Sequence, residues 1–175
     1  MDFLFGSRRQ KNNFTPRNVK IGDLNYRLIQ ATDFQIAEIV HLEKDVYSGQ
    51  MPWSAKDFQR EFRKKNSLYL LIYQLGQLAG IIGVRFSKKE AHITFLAVSS
   101  FYQGRGIATF LMNFMIQRAK KLFLSKVSLE VKVENLDAQK LYRRLGFEDN
   151  FVRKDYYYTP GQEPSDGLNM VLYLK

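Results

Sequence analysis

The chain has 175 residues, enough for one domain, and 45% of them are apolar, with 14 phenylalanines and 10 tyrosines; that composition supplies a packed core and argues against disorder. No cysteine is present, which excludes disulfides, zinc–thiolate sites and a thiol nucleophile, and the two histidines, His41 and His92, are too few for a histidine metal centre. The net charge of +10 attracts anions (nucleic acid, an acidic surface or a phosphorylated cofactor), disfavours a polycationic acceptor, and is equally what solubility alone would produce.

Residues 1–20 are polar and basic, with Arg8, Arg9, Lys11, Arg17 and Lys20, and read as a flexible arm ahead of a single domain over 21–175. Phe3, Leu4 and Phe5 precede those charges, the reverse of a secretory signal, and no apolar run approaches the ~20 residues of a membrane span. The expectation is a cytoplasmic protein without membrane contact. Tyr26–Gln30 reads as a short strand. Thr32 or Asp33 then caps a helix whose apolar face is Phe34, Ile36, Ile39 and Val40. Gly49 and Pro52 break the chain, and Ser54 with Asp57 resembles a capping box for a helix over 55–64. Three strands follow, Ser67–Gln74, Leu78–Phe86 and Ala91–Val98, the first two joined by a turn at Gly76. A helix is predicted from about Gly106 to Phe123. In Val127–Val133, Val127, Leu129, Val131 and Val133 face one way while Ser128, Glu130 and Lys132 face the other. A helix over about Ala138–Leu145 closes at Gly146, and Leu168–Leu174 alternates as a final strand. The order predicts a mixed α/β fold, a sheet with helices on both faces.

The segment from Val98 to Ala108 joins a strand to an amphipathic helix. Gly104 and Gly106 allow close backbone approach, the amides at the helix start point outward, and the helix dipole favours an anion there. Arg105 adds charge. This physics suits a phosphate or pyrophosphate, and an ordinary glycine-containing start to a helix would look the same. A Walker A loop is excluded because no Gly-Lys-Ser/Thr follows. A dinucleotide fold is disfavoured because the loop follows an antiparallel meander.

Gln103-x-x-Gly106-x-Ala108 resembles the acetyl-CoA pyrophosphate motif of the GNAT superfamily of acyl-CoA N-acyltransferases. Leu129-Glu130-Val131, Asn135, Leu141-Tyr142 and Leu145-Gly146-Phe147 are similar to the RimI group, the ribosomal-protein-alanine N-acetyltransferases, as are Pro52-Trp53-Ser54 and Arg153–Tyr157. The resemblance covers about residues 24–175 and implies a mostly antiparallel GNAT sheet. It also implies direct attack of an amine on acetyl-CoA, with no covalent enzyme intermediate and no metal. It assigns Glu130 as general base and Tyr142 as general acid. Without it, Glu130 would read as a solvent-facing strand residue and Tyr142 as a core tyrosine. Gln103, Gly104, Arg105, Gly106, Ile107 and Ala108 would hold the cofactor's pyrophosphate, and backbone groups of Leu96, Ala97 and Val98 its pantetheine chain. Asn135 either bonds that chain or caps its helix. Trp53, Tyr156 and Tyr157 would line a peptide slot, or else pack as lids on the core. His41 and His92 show no partner pattern and read as structural.

The implied acceptor is a protein N-terminus, that of a ribosomal protein, and the basic arm offers a contact with the ribosome or a nucleic-acid surface. Two alternatives stay open: a small-molecule amine acetyltransferase on the same fold, and a non-catalytic acyl-CoA sensor or RNA-binding module. The pairing of Glu130 with Tyr142 speaks against the last, as do lysines scattered without an aromatic–basic RNA motif.

Overall fold

The computed structural model describes residues 13–49 and 51–175. Among them, strands β1 (Arg17–Ile21), β2 (Leu24–Gln30), β3 (Ser67–Gln74), β4 (Gln77–Phe86), β5 (Glu90–Val98), β6 (Lys126–Lys132), β7 (Glu148–Tyr157) and β8 (Ser165–Tyr173) form one sheet. Its order is β1-β2-β3-β4-β5-β6-β8-β7. Only the β5–β6 pair is parallel. Parallel neighbours need a long crossover, and helix α3 (Ile107–Lys121) lies within it. The other helices are α1 (Ile36–Val46), α2 (Ala55–Phe62) and α4 (Leu136–Arg144).

Strand alternation divides the core between the two faces. Tyr69, Leu71, Ile81, Phe95 and Ala97 pack with Ile39 and Leu42 of α1 and Phe58 of α2. Leu70, Ile72, Ile82, Val127, Leu129 and Val131 pack on the other face with Leu111, Met112 and Met115 of α3. The mixed sheet with helices on both faces is as the sequence predicts.

Several details differ from the sequence reading. The arm expected over 1–20 is structured from residue 13 onwards: β1 pairs with β2, and Phe14 is buried edge-on against Phe114, with ring centroids 5.8 Å apart. The arginines and lysine at positions 8, 9 and 11 lie outside the described residues. Phe34 does not join the apolar face of α1. Thr32 and Gln35 form a capping box around a 3-10 turn over Asp33–Gln35, which turns Phe34 out to 93% exposure. Strand β7, exposed along most of its length, carries no alternation that sequence reading could detect. Conversely, the Ser54–Asp57 capping box forms as read, with Ser54 N donating to Asp57 Oδ2 at 2.7 Å.

Two irregularities shape the centre. The β4–β5 register skips a residue at Thr94, since Gly83 pairs with Phe95 and Val84 with Ile93. Beyond this bulge, Phe95 and Ala97 point toward α1 and α2. The β5–β6 pairing also ends there: Ile93 and Leu129 are its last pair, and the strands then diverge. The result is a fork in the sheet, open beside Thr94–Val98 on one limb and Glu130–Lys132 on the other.

Candidate active site

One end of the fork leads to the glycine loop. Gly104 and Gly106 have φ of +76° and +81°, and Gly106 is the N-cap of α3. A left-handed N-cap directs the next amides away from the helix, and the amides of a helix's first turn have no intrahelical acceptor. Gln103 does not extend into this space as a ligand group; its Nε2 donates to Val98 O at 3.0 Å and ties the loop to the end of β5. A cleft of about 300 Å³ remains, lined by Val98, Gln103, Gly104, Gly106, Ala108 and Thr109 among others, with Arg144 from α4 facing them. Arg105 lies elsewhere. Its guanidinium stacks 5.0 Å over Phe101 and 5.2 Å over Tyr102 and donates to Phe101 O at 3.1 Å. The positive charge sequence reading assigned to Arg105 is thus supplied at the cleft by Arg144. Left-handed glycines, outward amides, a helix dipole and a guanidinium form a donor set that fits a pyrophosphate.

Leu96, Ala97 and Val98 pair with β4 on one side only. Their other edge faces the fork, where backbone groups are free to bind an extended chain as an added strand would. Asn135 takes the capping role, its Oδ1 accepting from Ala138 N at 3.1 Å at the start of α4.

Glu130 is the first β6 residue past the last β5–β6 pair. Its side chain is only 6% exposed and is gripped from three strands. His92 Nε2 of β5 lies 3.0 Å from Oε2, Arg153 Nε of β7 lies 3.2 Å from Oε1, and Asn169 Nδ2 of β8 donates to Oε1 at 2.9 Å. Asn150 fixes Asn169 by donating to its Oδ1 at 2.9 Å. Burial alone would raise the carboxyl's pKa; the hydrogen bond and charge of His92, then Asn169 and Arg153, outweigh it and hold the group below the usual carboxylate range. A cleft of about 360 Å³ opens beside it, lined by His92, Ser128, Glu130, Arg153, Tyr156 and Asn169 among others. His92 is therefore more than a structural histidine. The signal for it was non-local: register places it beside Ser128, 36 residues on, one step before the fork.

Tyr142 of α4 is buried, its ring centroid 6.0 Å from that of Phe147. Burial, with Tyr47 nearby, pushes its hydroxyl well above the ordinary phenol range, so it keeps its proton at any physiological pH. Tyr157 feels the charges of both Glu130 and Tyr142, as well as Tyr156 and Tyr47, and so lies between the two assigned groups. Tyr156 and Tyr157 contact each other edge-on at 5.0 Å; they sit on strand β7 rather than in a loop. Trp53 is half-buried and packs on Phe58 and Phe95 at 5.2 and 5.4 Å, covering the core beneath α1 and α2.

The Acetyltransferase (GNAT) family model matches residues 36–147, which include the glycine loop, Glu130 and Tyr142. The chain belongs to this GNAT family. Two curated relatives are each 30% identical. The putative ribosomal protein bS18-alanine N-acetyltransferase of Bacillus subtilis (strain 168) aligns over 75% of this chain and 88% of its own length. The ribosomal protein bS18-alanine N-acetyltransferase of Escherichia coli (strain K12) aligns over 82% and 93%. The crystal structure of the Escherichia coli ribosomal-protein-S18-alanine N-acetyltransferase superposes with a TM-score of 0.77 at 25% identity, covering 86% of this chain and 94% of that one. This GNAT protein is accordingly an acetyl-CoA-dependent N-acetyltransferase.

Proposed function

We propose that the enzyme acetylates the N-terminal α-amino group of a protein, in the first instance a ribosomal protein in the cytoplasm. The observation that carries the reading is the Glu130 carboxylate at the mouth of the fork, kept ionised by His92, Arg153 and Asn169. Its similarity to the bS18-alanine N-acetyltransferases supplies the substrate class.

The α-ammonium of a peptide, with a reference pKa of about 7.7–8.0, must lose a proton before it can attack. Glu130 takes it, directly or through a water. Acetyl-CoA supplies the acetyl group as a thioester. Gly104, Gly106 and the first amides of α3, with Arg144, hold the pyrophosphate; the free edge of Leu96–Val98 aligns the pantetheine chain and offers an amide to the charge developing on the carbonyl oxygen. Tyr142, neutral throughout, donates its proton to the departing sulfur. Trp53, Tyr156 and Tyr157 border the acceptor's path, and the net charge of +10 disfavours a polyamine in it.

Mass spectrometry of a peptide panel incubated with enzyme and acetyl-CoA tests this reading. Acetylation of peptide α-amines, with alanine-initiated sequences among the preferred ones, supports it. Acetylation of lysine side chains or small amines in preference to every N-terminus would overturn it.

A further inference from the structure

The base assigned above has no direct route to water. Glu130's side chain is 6% exposed, and its oxygens are engaged by His92, Arg153 and Asn169. A proton taken from the substrate must leave before the next turnover, and neither a guanidinium nor an amide can accept it. The imidazole can. From His92 a continuous line of polar groups runs away from the fork: Nδ1 lies 2.7 Å from Ser128 Oγ, and Ser128 Oγ donates to Glu90 Oε1. Glu90 also pairs with Lys126 at 3.6 Å. His92 is 30% and Glu90 28% exposed at the side chain, and both border the open cleft beside Glu130.

We propose that His92, Ser128 and Glu90 form a relay that carries the proton from Glu130 to solvent; this rests on Glu130 being the base. The proton on Glu130 passes to His92 Nε2 as Nδ1 gives its own to Ser128 Oγ, and the serine's original proton goes to Glu90. Glu130 is then ionised again, His92 and Ser128 each hold as many protons as before, and Glu90 releases the single surplus proton to water. Exchange of the half-open imidazole with cleft water restores the starting tautomer. An imidazole is the better temporary holder, since reference values are about 6.5 for imidazole and about 4.3 for a glutamate carboxyl. The surrounding charges are arranged around this path without blocking it. Arg85 of β4 stands across from His92 in register but is engaged by Glu61 at 2.6 Å, while Arg153 and Tyr156 of β7 face Glu130 rather than Ser128.

The test compares His92→Gln, His92→Ala, Ser128→Ala and Glu130→Gln, using acetyl-CoA and an alanine-initiated peptide, with circular dichroism confirming each fold. Glutamine at 92 can still donate to Glu130 but cannot pass a proton along. The relay predicts that His92→Gln and Ser128→Ala lower kcat by about tenfold or more near neutral pH, with KM for acetyl-CoA within about twofold. The loss should ease as pH rises and the amine arrives deprotonated. Added imidazole should restore turnover to His92→Ala. Full kcat in His92→Gln with a deficient His92→Ala would show that the histidine only positions Glu130, and would overturn the relay. A slow Glu130→Gln beside unimpaired His92→Gln and Ser128→Ala would discard the relay and leave the base assignment standing. Full turnover of Glu130→Gln would sink both.

Discussion

Gly106 is where the cofactor reading is most exposed to refutation. It caps α3 at φ +81°, a conformation in which a β-branched side chain is strained. The surroundings add little to that strain, because a Cβ there would meet only Ile21 Cγ2, at 3.7 Å, an ordinary contact. The cost of Gly106→Val is therefore mainly backbone, about 1–2 kcal/mol, which for a chain of this size lowers Tm by about 2–8 °C. The binding cost is separate. If the cap relaxes, the amides of Ile107, Ala108 and Thr109 swing away from the cleft they share with Arg144. One anion at a helix N-terminus is worth about 0.3–1 kcal/mol, and up to ~2 in a partly buried site, so acetyl-CoA affinity should fall by roughly 2- to 30-fold. Gly76 is the control. Its φ is +79° and nothing lies within 4 Å of an added Cβ, so Gly76→Val carries a similar backbone strain in a turn remote from the loop. Calorimetry with acetyl-CoA should find normal affinity in Gly76→Val and weakened affinity in Gly106→Val, at comparable loss of Tm. Equal affinity in both folded variants would refute the pyrophosphate assignment.

Glu130→Gln and Tyr142→Phe should each lower kcat by about 10²–10⁴-fold while acetyl-CoA binding is retained, and only the Glu130→Gln defect should ease as pH rises; near-normal turnover in both, with chemistry rate-limiting, would sink the mechanism. Because the Glu130 carboxyl is held below its ordinary range, the acid limb of wild-type kcat/KM should follow the amine at about 7.7–8.0, and a limb near pH 4–5 would contradict this. Glu43 behaves oppositely: it is fully buried, Oε1 accepts from Trp53 N at 2.9 Å, Oε2 has no partner among the described residues, and burial pushes its pKa up to about 7. Its folded-state value lies above the unfolded one, so its contribution to stability falls between pH ~4.5 and ~7, on the order of 1–3 kcal/mol. Denaturant melts across that window should show the fall in wild type relative to Glu43→Gln, and parallel curves would refute it. Deleting residues 1–12 should leave peptide turnover and Tm nearly intact, whereas deleting 1–20 also removes most of β1 and the buried Phe14, about 1.5–3 kcal/mol for the side chain alone; an equal Tm for both truncations would contradict the packing of Phe14 on Phe114.

What the sequence shows well is local. The Ser54–Asp57 box, the turn at Gly76 and the glycine-capped start of α3 each depend on residues a few positions apart. Alternation in β6 correctly sends Val127, Leu129 and Val131 to one face and Glu130 to the other. What it hides is set by pairing between distant segments. The polar strand β1 is ordered by β2 and by Phe14 reaching α3, and β7 by its pairing with β8. Arg105 looks like the loop's cation because it sits in the motif, but neighbouring aromatic rings capture it, and Arg144 reaches the cleft from a helix almost 40 residues on. His92 gains its partner only when β5 and β6 lie side by side, a parallel contact for which no short-range pattern exists.

The fork also explains why base and acid are separate residues. Val127, Leu129 and Val131 share one core with Tyr142, while Glu130 alternates to the face of β6 that carries Ser128 and lies beside His92. The reaction moves two protons, one off the amine and one onto the sulfur. With the two groups on opposite faces of β6, the proton Glu130 collects has no short path to Tyr142, and Tyr142 draws its replacement independently. Each site can then keep the pKa its own step requires: a carboxylate held ionised by His92, Asn169 and Arg153, and a phenol held neutral by burial. Had the two groups shared a face, a direct hydrogen bond would couple their titrations, and no separate exit for the amine's proton would be needed. The polar line from His92 to Glu90 follows as a consequence of that separation.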